Sequence, residues 1–233
     1  MAQKTANLRA KPWFRCHGVY VAVAILTWIT LGGCVKKTNI ANLDSNGSTI
    51  ICFGDSLTRG HGARADQAYP ARLSARLGVP VVNAGRDGDT TAQALKRIDR
   101  DVIRKHPRMV LVFLGGNDVL HRIPKRETLA NMDRILARCV SSGAIVVVIH
   151  TKYGLFKDPY RKDFEQLADK YGAVFVPNVL NGIFGRPSLM SDEIHPNAAG
   201  YDLVAERIAQ RIAPVLAQAD TRRRVSANAH SRP

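Results

Sequence analysis

Residues that together can activate an alcohol occur in two short segments of the chain. Ser56 lies in the segment GDSLT at 54–58, and Asp192 and His195 lie three residues apart in DEIHPN at 192–197. A serine hydroxyl becomes an effective nucleophile when a neighbouring base takes its proton. An imidazole can do this near neutral pH, and a carboxylate three residues away on a helical turn can hold the ring. These residues predict a Ser-His-Asp set for attack on a carbonyl carbon.

Two further segments combine glycine with amide or hydroxyl side chains. They are NAGRDGDT at 83–90 and GGND at 115–118. Glycine lets the backbone approach a ligand closely, and an asparagine amide donates hydrogen bonds without titrating. Each segment taken alone is equally typical of a tight turn or a helix cap.

Alternating strand and helix patterns predict the element that positions these segments. Short apolar runs rich in Val and Ile are typical of strands buried on both faces of a parallel sheet. Strand–helix alternation then predicts right-handed crossovers and a three-layer α/β/α sandwich with a five-stranded parallel sheet. The predicted strands are Thr49–Gly54, Pro80–Asn83, Met109–Leu114, Ala144–His150 and Ala173–Val176, and the predicted helices are 67–77, 90–105, 126–142, 159–171 and 197–217.

The polar segments follow the first, second, third and fifth predicted strands. In open α/β sheets, ligands bind in the crevice beyond the carboxyl ends of the strands. Four such segments, each at a strand exit, favour one functional site over four unrelated turns.

The four segments together resemble the conserved blocks of the GDSL, or SGNH, hydrolases, over about residues 49–216. The resemblance is strongest to the bacterial periplasmic branch with thioesterase, lysophospholipase and arylesterase members. It implies a flavodoxin-like fold, Ser56 as nucleophile, His195 as base and Asp192 as its partner. It also implies an oxyanion hole formed by the Ser56 N–H, the Gly88 N–H and the Asn117 amide, with Asp55 and Asp118 supporting the loops.

Several positions leave alternatives open within that resemblance. Gly85 competes with Gly88 as the oxyanion donor, and Gly88 is favoured by its GDT context. Arg86 and Asp87 stand where small or apolar residues are usual, which predicts a more polar oxyanion loop. Charges in the segment 150–157 argue against a long acyl chain, although Tyr153, Leu155 and Phe156 could line an apolar groove.

The N-terminus has the pattern of an export signal. A basic start precedes 13 apolar residues at 19–31, which is short for a membrane span of about 20 residues. LGGC at 31–34 resembles a bacterial lipobox, which predicts lipidation of Cys34 and a cell-envelope lipoprotein; a plain signal peptide or an uncleaved anchor are the alternatives. We therefore expect a signal at 1–33, a polar tether at 34–48, a hydrolase domain at 49–217 and a disordered basic tail at 218–233.

Composition excludes several other classes of function. The net charge of +15 is interpreted as a solvated basic surface, with anionic membranes or anionic substrates as the alternatives. Nucleic-acid binding is disfavoured because the chain has no recognisable nucleic-acid motif. No ligand spacing suggests a metal, and no cofactor is expected. Cys52 and Cys139 are expected to be buried thiols, with a disulfide as the alternative.

Three functions are compatible with these residues. The first is an esterase or thioesterase acting on small-molecule or lipid esters, and the second is a carbohydrate O-acetylesterase acting on cell-envelope polysaccharide. The third is a non-catalytic ligand-binding lipoprotein, which the complete residue set argues against. A nucleotide-binding flavodoxin-like protein is disfavoured because no glycine-rich phosphate motif is present.

Overall fold

A parallel β-sheet forms the centre of the protein. The computed structural model describes residues 39–152 and 158–230. The strands of this part pair in the order β2-β1-β3-β4-β5, and every pairing is parallel. They are β1 (Thr49–Gly54), β2 (Val81–Gly85), β3 (Pro107–Phe113), β4 (Ile145–Ile149) and β5 (Val174–Val176).

Helices cover both faces of this sheet and create two separate apolar cores. Ile50 and Cys52 of β1 belong to the core beneath α2 and α7, whereas Ile51 and Phe53 belong to the core beneath α3, α5 and α6. This alternation follows from the two-residue period of a strand, and it confirms the three-layer sandwich. The helices are α1 (Ser56–Arg59), α2 (Tyr69–Leu77), α3 (Thr91–Asp101), α4 (Gly116–Leu120), α5 (Lys125–Ser141), α6 (Arg161–Lys170) and α7 (Ala198–His230).

The strand order reverses direction at β1. The chain passes from β1 to β2 on one side and then crosses to β3 on the other side. Such a switch point leaves a crevice at the carboxyl ends of the two strands. The segments that begin at Asp55 and Gly115 emerge beside this crevice.

The C-terminal tail differs from its prediction. Helix α7 continues to His230, so the expected domain end at 217 and the disordered segment at 218–233 are wrong as far as the structure describes them. Ala219 is buried, and Asp220 pairs with Arg108 at the start of β3. Alanine favours the helix, and no glycine or proline interrupts residues 218–230.

The expected tether is also partly wrong. Residues 34–38 lie outside the described residues, but residues 39–48 pack on the domain. Leu43 is buried in the core, and the Asn42 amide donates to the carbonyls of Val140 and Ala144. These contacts lie at the amino ends of the strands, on the edge opposite the crevice.

Cys52 and Cys139 are free and buried in different cores, as expected. Burial raises the pKa of each thiol to about 12, which leaves both unreactive near neutral pH. Among the helices of the described ranges, none has the length and apolar character needed to cross a bilayer.

Candidate active site

Ser56 is the first residue of α1, directly beyond the end of β1. Asp55 caps this short helix, because its carboxylate accepts the Leu57 N–H at 3.0 Å. Gly54 packs so tightly that an added Cβ would lie 2.0 Å from the Thr58 hydroxyl oxygen. The turn from strand to helix is therefore rigid, and it fixes the direction of the Ser56 side chain.

Ser56, His195 and Asp192 form a continuous hydrogen-bonded chain. The distance between Ser56 Oγ and His195 Nε2 is 3.0 Å, and that between His195 Nδ1 and Asp192 Oδ2 is 2.8 Å. The Asp192 carboxylate also accepts the backbone N–H groups of Ile194 and His195, at 2.8 and 2.7 Å. The hydrogen bond from the His195 ring and these two backbone bonds lower the pKa of Asp192 to about 2. Asp192 thus remains ionised throughout the neutral range.

Backbone contacts hold the histidine segment beside α1. The Ser191 N–H donates to the His195 carbonyl, which closes the turn that carries both residues. Tyr201 of α7 donates its hydroxyl to the His61 carbonyl at 2.8 Å, which joins the last helix to the turn after α1. An added Cβ at Gly62 would lie 2.0 Å from Ser191 Oγ. The turn after α1 therefore approaches the histidine segment more closely than a residue with a side chain at position 62 would allow.

The two glycines proposed as oxyanion donors have different environments. The Gly85 N–H already donates to Asn83 Oδ1 at 2.9 Å, and an added Cβ at Gly85 would meet the Arg59 nitrogen at 2.1 Å. Gly88 has a φ of +76° and open space on the side where a Cβ would lie. Of the two, Gly88 has the geometry that leaves room for a ligand.

Asn117 and Asp118 lie on the first turn of α4, beyond β3. The Asn117 amide donates to the Asp89 carbonyl at 3.0 Å, which places this side chain against the loop that carries Gly88. A primary amide has two N–H donors, so one bond to the loop leaves a second for a ligand. The fully buried Asp118 carboxylate accepts the N–H and the hydroxyl of Thr91. It therefore ties the start of α4 to the start of α3.

Asp55 is an unusual carboxyl group because it is buried next to the nucleophile. Its pKa is raised to about 7, chiefly by burial and also by the nearby Asp89 and Asp118, against the lowering effect of the Leu57 N–H. Asp55 therefore titrates near neutral pH, although it is not a member of the hydrogen-bonded chain of Ser56, His195 and Asp192.

Arg97 is a buried residue that the sequence analysis missed. Its guanidinium pairs with Asp89 and Asp101 and donates to the carbonyls of Gly54 and Ala84, each at 2.9 Å. It thus joins the end of β1, the end of β2 and the Gly88 loop. An arginine among the apolar positions of α3, at i+3 from the buried Ala94, was the available signal.

His61 is the second residue that the sequence analysis missed. Its ring lies against the His195 ring with 4.4 Å between centroids. Asp87 lies 3.8 Å from His61 Nδ1 and 3.3 Å from Arg59 Nε. With the exposed Arg86, these residues form a polar rim (Arg59, His61, Arg86 and Asp87) beside Ser56. Arg86 and Asp87 of this rim are the residues from which a polar oxyanion loop was predicted. No spacing in the sequence indicates the contact with His195.

The remaining predicted residues of the site cannot be compared with the structure. Tyr153, Leu155 and Phe156 lie outside the described residues, as does Cys34. His150 and Thr151, which begin that segment, are buried at the end of β4.

Comparison with known proteins shows which family the chain resembles. The model of the GDSL-like Lipase/Acylhydrolase family matches residues 52–203. The chain is 29% identical over 176 residues to the Thioesterase 1/protease 1/lysophospholipase L1 of Escherichia coli K12, covering 72% of this chain and 85% of that protein. It is 28% identical over 174 residues to an arylesterase of Vibrio mimicus, covering 70% and 87%. The crystal structure of TesA superposes with a TM-score of 0.67 at 28% identity, covering 72% and 99%.

Proposed function

Because the chain belongs to the GDSL-like lipase/acylhydrolase family and is a hydrolase of ester bonds, we propose that Ser56, His195 and Asp192 carry out its reaction through an acyl-enzyme. The observation that carries this proposal is the 3.0 Å separation of Ser56 Oγ and His195 Nε2, in series with the 2.8 Å contact to Asp192. A serine, a base and an orienting carboxylate within hydrogen-bond reach have the geometry of an activated nucleophile.

In the acylation step, Ser56 Oγ attacks the ester carbonyl carbon while its proton passes to His195 Nε2. The carbonyl electron pair moves onto oxygen, and the N–H groups of Ser56 and Gly88 and the Asn117 amide donate to that oxyanion. His195 then returns the proton to the departing alkoxide or thiolate as the ester bond breaks. Loss of one such donor typically costs about 100- to 1,000-fold in rate.

In the deacylation step, water replaces the leaving group and attacks the acyl carbon. His195 takes a proton from water and delivers it to Ser56 Oγ, which releases the free acid. Asp192 stays ionised in both steps, because its pKa of about 2 lies far below the pH at which the imidazole works. Its charge stabilises the imidazolium, and its two oxygens keep the ring oriented.

The substrate that we propose is a small carboxylic, aryl or thio ester. The relatives named as thioesterase, lysophospholipase and arylesterase support this range. A second candidate is an O-acetyl ester on a cell-envelope carbohydrate. The polar rim favours it, because exposed charged and imidazole side chains beside Ser56 can bind the hydroxyl groups of a sugar better than an alkyl chain.

We also propose that the protein is exported and held at the cell envelope through a lipid on Cys34. The LGGC segment and the basic and apolar N-terminus support this location. The described residues contain no membrane-spanning helix, so the proposal depends on the N-terminal pattern alone.

A fluorophosphonate probe tests the nucleophile without a choice of substrate. Wild type should be labelled and should hydrolyse p-nitrophenyl acetate or butyrate, and Ser56→Ala should lose the label and more than about 10⁴-fold in turnover. Ser48→Ala is the matched control, because Ser48 is exposed at the opposite edge of the sheet. Turnover that survives in Ser56→Ala would remove the role proposed for this residue, and a wild type that takes no label would favour the ligand-binding alternative.

The same purified protein separates the two substrate classes. Rates on a series of p-nitrophenyl esters of increasing acyl length are compared with those on lysophospholipid and on acetylated glycan. Preference for the acetylated glycan over simple acetyl esters would favour the second candidate.

A further inference from the structure

Two imidazole rings lie together at the mouth of the site, and the proposed reaction uses only one of them. His61 and His195 have ring centroids 4.4 Å apart and planes inclined by 42°. The His61 side chain is 52% exposed, so packing in the apolar core does not account for its position.

Each of the two rings has a carboxylate on its Nδ1 side. Asp192 lies 2.8 Å from His195 Nδ1, and Asp87 lies 3.8 Å from His61 Nδ1. A carboxylate beside one ring nitrogen favours the proton there and leaves the lone pair on the other nitrogen. In His61 this makes Nε2 the available ligand, whereas His195 Nε2 already lies 3.0 Å from Ser56 Oγ, so an ion shared with Asp192 binds His195 through Nδ1.

His61, His195 and Asp192 also have the spacing of a ligand set. One ligand atom from each residue lies within 4.8 Å of those of the other two. Tetrahedral zinc, with bonds of about 2.0–2.2 Å, requires ligand atoms roughly 3.4 Å apart. The necessary approach of roughly 1.5 Å is available to His61 and Asp192, whose side chains are about half exposed.

We propose that His61, His195 and Asp192 bind a divalent transition-metal ion of the zinc type, and that this ion reversibly inhibits the enzyme. Two imidazoles and one carboxylate suit zinc, nickel or copper and not magnesium, which prefers oxygen ligands. An ion shared by Asp192 and His195 Nδ1 takes the place of the proton between these two atoms, so the ring proton remains on Nε2 and blocks acceptance of the Ser56 proton. Proton transfer from Ser56 then stops while the ion is bound.

The binding part of this proposal is independent of the reaction, whereas the inhibition part rests on the proposed function. Binding is therefore measured first, by titration calorimetry with zinc chloride on wild type, Ser56→Ala and His61→Phe. Phenylalanine keeps the ring contact with His195 and removes the ligand nitrogen. His106→Asn is the matched control, because His106 is an exposed imidazole at the amino ends of the strands with a φ of +46°, which asparagine tolerates.

We expect Ser56→Ala and His106→Asn to bind zinc as wild type does, and His61→Phe to bind it at least tenfold more weakly. In the p-nitrophenyl ester assay, zinc should inhibit wild type and His106→Asn, a chelator should reverse the inhibition, and magnesium should have no effect. Relative to its own turnover without zinc, His61→Phe should require at least tenfold more zinc for half inhibition. Melting temperatures measured without metal check that each variant is folded.

Each other outcome has a definite meaning. Equal zinc affinity in wild type and His61→Phe, or weaker affinity in His106→Asn, overturns the site. Zinc binding that depends on His61 but leaves turnover unchanged overturns the inhibition. If wild type binds zinc through His61 and hydrolyses no ester, the metal site stands and the proposed function fails.

Discussion

Asp55 shows how the environment of one residue sets its protonation. The carboxyl group lies one position before Ser56, and it is only 3% exposed. It caps α1 through the Leu57 N–H, yet within the described residues no cationic side chain pairs with it. Burial therefore dominates, and the pKa of about 7 means that the folded protein holds a proton which the unfolded chain releases near pH 4.

This predicts a pH-dependent stability that Asp55→Asn removes. A carboxyl pKa raised by folding destabilises the native state progressively as pH rises from about 4 to about 7, and not further above that. Asparagine keeps the capping oxygen and cannot ionise. The unfolding free energy of Asp55→Asn minus that of wild type should rise across this range, by as much as about 4 kcal/mol.

Urea denaturation at intervals between pH 4 and 8 measures this difference. Asp66→Asn is the control, because Asp66 is an exposed carboxylate in the segment that follows α1. A difference between Asp55→Asn and wild type that stays constant over the range would show that Asp55 has an ordinary pKa.

At the scale of elements, the site depends on how three strand exits are fixed relative to one another. Arg97 of α3 bonds to the carbonyls of Gly54 and Ala84 and to the Asp89 side chain. The Asp89 carbonyl in turn accepts the Asn117 amide. One buried guanidinium thus sets the position of the Gly88 loop against the Ser56 turn.

We expect Arg97→Met to lower kcat by roughly 10- to 100-fold with a much smaller change in KM, because displaced oxyanion donors weaken binding of the transition state and not of the substrate. The variant leaves the buried Asp89 with only the exposed Arg86, 3.8 Å away, so it should also lose about 3–5 kcal/mol of stability. Steady-state kinetics well below the melting temperature separate the two effects.

Two further variants sharpen this test. Arg97→Met combined with Asp89→Asn removes both buried charges, and it should recover part of the stability without recovering kcat. Arg100→Met is the matched control, because Arg100 is an exposed arginine on the same helix. Recovery of kcat together with stability in the double variant would reduce Arg97 to a structural role.

At the scale of the whole molecule, the first and last parts of the described chain contact the edge of the sheet opposite the site. Residues 39–48 pack against the amino ends of β3 and β4, through Gly47 beside Pro107 and Asn42 beside Ala144. The Ser56 crevice lies at the carboxyl ends.

Lipid attachment at Cys34 predicts incorporation of labelled palmitate by cells that express the protein. Cys34→Ala should abolish the label and release the protein from the membrane fraction. Cys16→Ala is the matched control, because the predicted signal that contains Cys16 is removed before the mature protein forms. Equal labelling of wild type and Cys34→Ala would refute the anchor.

The sequence alone determined the layers, the five strands and the segments that meet at one edge. These features follow from local patterns: buried parallel strands are continuous apolar runs, and their carboxyl ends must share an edge. Ser56, Asp192 and His195 were found because each lies in a short segment whose residue types already suggest its chemistry. The boundary at residue 217 was wrong, because the extension of α7 depends on Ala219 and Asp220 meeting the domain.

Only the tertiary structure decided the contacts between residues distant in the chain. Arg97 reaches Gly54 across 43 positions, and its place among the apolar positions of α3 indicates burial but not which atoms it contacts. His61 faces His195 because α7 holds the turn after α1 through Tyr201. Such pairs arise from the packing of whole elements, so no local spacing encodes them.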